Sequence, residues 1–155
     1  MSSGRKTAIT LLAIFVAIQF IQPARNNNKQ LTQADMLSYL TVPDSVAEIF
    51  KTACYDCHSN NTRYPWYTAI QPIGWIMANH ITKGKAVLNC SDFGNYPVRR
   101  QLSKLKGISN SVKDGSMPIK AYVLLHPGSG INEAQKAAIM NWTGNMADSI
   151  SGNKK

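Results

Sequence analysis

The sequence predicts an all-α protein, a small helical domain preceded by an apolar amino-terminal segment. Three observations carry this. Apolar residues recur at three- and four-residue spacing, the stretches that hold them are opened by capping residues or proline and closed by glycine, and no alternating strand pattern of useful length competes. The chain has 155 residues and a net charge of +9, from 17 Lys and Arg against 8 Asp and Glu, which fits one domain with short extensions and excludes a multidomain enzyme. The basic residues are spread out with no arm-like run, so no nucleic-acid partner is expected. An acidic protein or an anionic membrane surface fits that balance.

Arg5 and Lys6 are followed by Thr7 to Gln22, 16 residues without a charge, in the order of an export signal or anchor. As a helix this run reaches ~24 Å, against ~30 Å for a hydrocarbon core, so it is short for a span but usable with thinning or snorkelling. Only Ala24 meets the small-residue demand of cleavage near Gln22-Pro23-Ala24. The expectation is therefore an uncleaved signal-anchor or transmembrane segment over 1–24, an amino terminus held inside by Arg5 and Lys6, and the rest of the chain in the periplasm. Asn26 to Gln30 read as a polar linker, so 25–41 is expected to be a linker with a short helix inside Leu31–Leu40, broken by Pro43.

The remaining 42–150 is expected to be one domain. Ser45-x-x-Glu48 has the form of a capping box, opening a helix that carries Val46, Ile49, Phe50 and Ala53 into Cys54 and Cys57. Tyr64-Pro65-Trp66-Tyr67 is expected to be a loop. Pro72 opens a second helix with Ile73, Ile76, Met77, His80 and Ile81 on one face and Gly84 at its end. A third starts at Pro97 with Val98, Leu102, Leu105 and Val112 sharing a face, interrupted at Gly107 and closed by Gly115. Asn132 caps a last helix with Gln135 at the capping-box position and Ile139, Trp142 and Met146 following. Four short helices make a thin core, which implies that something else fills the middle.

Cys54-Tyr55-Asp56-Cys57-His58 indicates what that is. C-x-x-C-H is the c-type haem attachment sequence, in which two thiols three residues apart match the two vinyl groups and the next histidine reaches the iron. One covalently attached haem c is expected. The competing readings are weaker: a zinc site with Cys90 or His80 lacks a second ligand pair, a redox dithiol lacks a strand-turn-helix setting, and a plain disulfide is a minor alternative. For the sixth ligand Met117 stands out, because Gly115-Ser116-Met117-Pro118 follows a helix end in an extended loop. Met36, Met77, Met140 and Met146 lie in helical stretches as core filler. His80 is the alternative ligand, its competing reading being a hydrogen-bonded core histidine; His126 reads as a loop histidine bonded to backbone.

Taken together, the capped helix, CxxCH, the G-x-M-P loop and a closing helix with an aromatic residue resemble class I cytochrome c. More specifically, Ala53 to Asn60, Thr62 to Tyr67, the His80 helix, Leu88-Asn89, Met117-Pro118, Tyr122 and His126 resemble the membrane-anchored haem-binding domain family of Gram-negative bacteria, over roughly Val42 to Trp142. That resemblance implies a cytochrome c-like domain around one haem, with Cys54, Cys57, His58, Met117 and Trp142 as cofactor contacts and His58 and Met117 as iron ligands. Cys90 stands where the family would have an aromatic, and reads as a small buried hydrophobe. The expected function is a one-electron carrier, with a redox partner that is acidic at its docking face. The alternative is a haem-based sensor or small-ligand binder with a displaceable sixth ligand. No enzymatic activity is expected, because His80 lacks an arginine or glutamate beside it in sequence for distal acid–base work.

Overall fold

The computed structural model describes residues 2–28 and 32–152. Among these the regular structure is helical, with one isolated bridge between Asn27 and Asn61. The α-helices are α1 (Ser3–Ile18), α2 (Met36–Tyr39), α3 (Asp44–Ala53), α4 (Tyr55–His58), α5 (Ile73–Val87), α6 (Val98–Lys113), α7 (Lys120–Leu125) and α8 (Glu133–Gly152). There are also two 3-10 helices, Trp66–Ala69, which begins within the stretch expected to be a loop, and Cys90–Asn95.

The main packing unit is α6 against α8. Leu105 and Val112 of α6 and Ile139 and Trp142 of α8 are buried with Phe50 and Ile49 of α3, at the spacing that places them on facing stripes. Phe93 and Cys90 close this core from the second 3-10 helix, Cys90 as the small hydrophobe expected. The cap of α8 forms as its sequence requires: Asn132 Oδ1 accepts from Gln135 N and Gln135 Oε1 accepts from Asn132 N, both at 2.9 Å. Gly107 does not interrupt α6, which is continuous to Lys113 and ends as Gly115 takes φ +73°.

Several expectations are corrected. The Ser45–Glu48 box does not form: α3 begins at Asp44 with Pro43 before it, and Glu48 pairs with Lys51 at 2.8 Å. The apolar helix is Ser3–Ile18 rather than Thr7–Gln22, because Gln19 and Gln22 turn their amides onto the domain and Pro23 cannot extend a helix. No helix among the described residues is long and apolar enough to cross a membrane, so the transmembrane span expected in 1–24 is not present as such a helix. The linker is likewise not free. Thr62 N donates to Asn26 O and Asn28 N to Asn60 O, pinning 26–28 beside 60–62; Lys29, Gln30 and Leu31 lie outside the described residues.

Candidate functional site

The break between α3 and α4 shapes the site. Cys54 leaves the helical region with φ −123°, and the chain re-enters a single turn in which His58 N donates to Cys54 O at 3.0 Å. Cys54, Cys57 and His58 thus lie on one tight turn. His58 Nδ1 is 3.1 Å from the carbonyl oxygen of Leu88, an acceptor only, so Nδ1 carries the hydrogen and Nε2 is left with its lone pair. Leu88 is itself fixed, since its N donates to Gly84 O at 2.8 Å as α5 ends.

Gly84 is not the end of α5 but the point where α5 meets the turn. A Cβ at this position would fall 2.6 Å from Cys57 O and 3.3 Å from Cys57 Cβ, so only glycine allows this approach. The turn is also held through Asp56, which lies between the two cysteines and is buried. Tyr122 Oη of α7 donates to Asp56 Oδ2 at 2.7 Å, while Arg63 donates to Oδ1 from its backbone N at 3.0 Å and from Nε at 3.2 Å. Burial, and then the bond to Asp56, push the Tyr122 hydroxyl well above its ordinary range, which keeps it a donor.

Two adjoining apolar cavities open on this turn. One, of about 180 Å³, is lined by Cys57, His58, His80, Lys83, Met117 and Ile119 among others. The second, of about 300 Å³, is lined by Phe50, Cys54, His58, Ser103, Lys104 and Met117 among others. The two thiols therefore face neighbouring cavities, and His58, Val87 and Met117 border both. The Met117 loop is tied to α6, with Met117 N donating to Ser111 O at 3.1 Å and Ser116 N to Asp114 Oδ1 at 2.8 Å.

All three thiols are free. Burial, with a smaller contribution from Cys57, pushes the Cys54 thiol up to about 12; burial and then Asp56 push Cys57 up to about 11. Raised thiols of this kind are slow in disulfide exchange, which proceeds through the thiolate. Among the described residues no three His, Cys, Asp or Glu side chains cluster to hold a metal ion. The residues fit a haem: two protonated thiols on one turn, an imidazole oriented through its far nitrogen, apolar walls, and a glycine where a side chain would displace the turn.

Other expected site residues lie as follows. Met117 is 38% exposed and borders both cavities, as its loop position implies. His80 is exposed, makes no hydrogen bond to a described residue and borders the first cavity, so it is not the hydrogen-bonded core histidine its sequence position suggests. Trp142 lines neither cavity. It packs edge-on to Phe50 at 5.5 Å, and Nε1 donates to Thr41 O at 3.0 Å, one layer behind the site. His126 bonds the carbonyl oxygen of Tyr122 through Nδ1 at 2.9 Å, as a backbone-bonded loop histidine should, and Tyr67 Oη approaches its Nε2 at 3.1 Å. Sequence reasoning missed Leu88, Asp56, Arg63 and Tyr122 as the holders of the turn. Only the buried acid inside C-x-x-C carried a local signal.

A helical domain that presents two thiols and an oriented imidazole to adjoining apolar cavities has the features of a haem-binding protein. The chain matches the family described as Haem-binding domain over residues 13–145, and it belongs to that family. The match begins inside α1, so it takes in the segment that precedes the domain as well as the domain itself. No curated protein matches the chain, and no solved structure does.

Proposed function

We propose that the protein is a monohaem c-type cytochrome that carries one electron at a time. One haem would be attached through Cys54 and Cys57, with His58 as proximal ligand and Met117 as the sixth. The observation that carries this reading is the bond from His58 Nδ1 to Leu88 O, which leaves Nε2 as the free ligand atom beside a cavity that Met117 also borders. When bound, the haem supplies the redox-active iron. The chain's own residues set its conditions. The Leu88 carbonyl would make the imidazole a stronger donor to the iron, and apolar walls such as Phe50 and Ile119 would disfavour the more positive oxidised state. Lys83 and Lys104 at the cavity rims, with Ser103, are suited to the haem carboxylates.

The domain is proposed to work outside the cytoplasm, at the outer face of the cytoplasmic membrane and held there by α1. Its excess of positive charge favours a redox partner that is acidic at the docking face. Among the residues lining the first cavity there is no Asp, Glu or Arg to work with His80, which supports a carrier over a peroxidase. A second reading, a sensor with a displaceable sixth ligand, is favoured by the exposure of Met117 on its loop. Expression with a cytochrome c maturation system tests the first: the mass should include one haem that survives acid-acetone extraction, and the ferrous protein should resist carbon monoxide. Extractable haem refutes covalent attachment, and ready carbon monoxide binding by the wild type gives the function to the sensor.

A further inference from the structure

Residues 19–28 are fastened to the domain, and the centre of the fastening is fully buried. Gln71 is 0% exposed. Its backbone N donates to Gln19 Oε1 at 2.8 Å, its Nε2 donates to Gln22 Oε1 at 2.9 Å, and its carbonyl oxygen accepts from Gln19 Nε2 at 3.2 Å. Gln22 Nε2 donates to Ala69 O at 3.1 Å and Trp75 Nε1 to Ile21 O at 2.8 Å. Further along, Asn26 N donates to Tyr64 Oη at 2.8 Å and Lys85 Nζ to Asn26 Oδ1 at 2.7 Å. The strip from Ile21 to Asn26 therefore runs along α5 from Trp75 to Lys85, ~15 Å of helix matched by ~16 Å of extended chain. Without Gln22 the buried Gln71 Nε2 would lose its partner, while Oε1 keeps Trp75 N at 3.1 Å, so the strip belongs to the fold and is not a flexible tether.

The surface at the clamped end of α5 is apolar. Phe20 is 84% exposed and Trp66 79%, with Ile21 and Ile70 also exposed. Trp66 lies in the single-turn 3-10 helix whose last residue, Ala69, accepts from Gln22 Nε2 through its carbonyl, so that helix borders the strip. Beyond it, α1 has no buried residue and no polar face along Ile9 to Ile18. An apolar surface of this extent needs an occupant. Tryptophan at its edge and Arg5, Lys6 and Arg25 at its two ends match an anionic bilayer, with its hydrocarbon and its charged headgroups.

We infer that α1 and the face of Phe20, Ile21, Trp66 and Ile70 form one rigid lipid-binding unit that seats the haem domain on an anionic bilayer in a single orientation. This rests on the proposed membrane location and adds that the haem cavity is held at a fixed height. His80 and Val87 line that cavity, so it lies ~10 to 21 Å along α5 from Ile73 at the clamped end. Exchange is then confined to partners whose redox groups reach that height, in or on the same membrane.

The test uses the haem-loaded full chain with vesicles of phosphatidylcholine and phosphatidylglycerol, first in flotation and then as stacked, oriented bilayers read by linear dichroism of the Soret band. The wild type should float and show a dichroic ratio well away from the isotropic value. A Gln19→Ala, Gln22→Ala double variant should float equally but lose most of the dichroism, and Trp75→Phe, which removes one clamp bond and little bulk, should lose part of it. A floating wild type without dichroism, or clamp variants with full dichroism, overturns the rigid seat. A wild type that does not float overturns the membrane location itself, and this inference with it.

Discussion

The close approach of α5 to the Cys54–His58 turn can be tested by adding one carbon. In Gly84→Ala the new Cβ would sit 2.6 Å from Cys57 O, where ordinary contact begins at 3.4 Å, so helix and turn must part by about 0.8 Å along that line. The obstructing atom is backbone, in a turn that Tyr122 and Arg63 hold through Asp56, so it does not swing away. Overpacking of this kind costs ~1 to 3 kcal/mol, against ~1 kcal/mol gained from replacing glycine by alanine within a helix. The net is a loss of up to ~2 kcal/mol, or ~4 to 8 °C in Tm at this chain length. Gly144 in α8 is the internal control, because its Cβ would meet nothing within 4 Å. Gly144→Ala should therefore stabilise by ~0.5 to 1 kcal/mol. Thermal melts of the haem-loaded proteins, followed by circular dichroism, read both. The reasoning is refuted if Gly84→Ala stabilises as much as Gly144→Ala.

Three further outcomes are expected. Tyr122→Phe removes a buried bond to the Asp56 carboxylate and should cost ~1.5 to 3 kcal/mol in denaturant unfolding; a change below ~0.5 kcal/mol would mean that the clamp on the turn is held by Arg63 alone. Met117→Ala should abolish the weak far-red sulfur-to-iron band and admit carbon monoxide, whereas His80→Ala should change neither; the reverse pattern in absorption spectra would make His80 the sixth ligand. Trp142→Phe gives up the bond to Thr41 O and should lower stability by ~1 kcal/mol while leaving the Soret maximum in place, and a shifted maximum would return Trp142 to the haem contacts.

Interactions that span a few residues could be read from the sequence alone. The spacing of Cys54, Cys57 and His58, the capping pair of Asn132 and Gln135, the helical stripes of α3 and α8 and the placing of Met117 in a loop after α6 are all set within about a turn of chain, and periodicity and cap chemistry report on that range. Local signals also misled where another partner competed, near or far in the chain. Glu48 found Lys51 in place of the cap, and Gly84 suggested a helix end because its real reason, the approach of Cys57, lies on another element. His58 with Leu88, Asp56 with Tyr122, and Gln71 with Gln19 and Gln22 are pairings between residues 30, 66, 52 and 49 positions apart. Nothing periodic in the chain announces them, because a hydrogen bond constrains where two groups meet in space and leaves the number of residues between them open. The sequence thus determined the helical class and the residues suited to take a haem. Which carbonyl orients the histidine, and that the presumed linker is part of the domain, were decided only by the packing around α4 and α5.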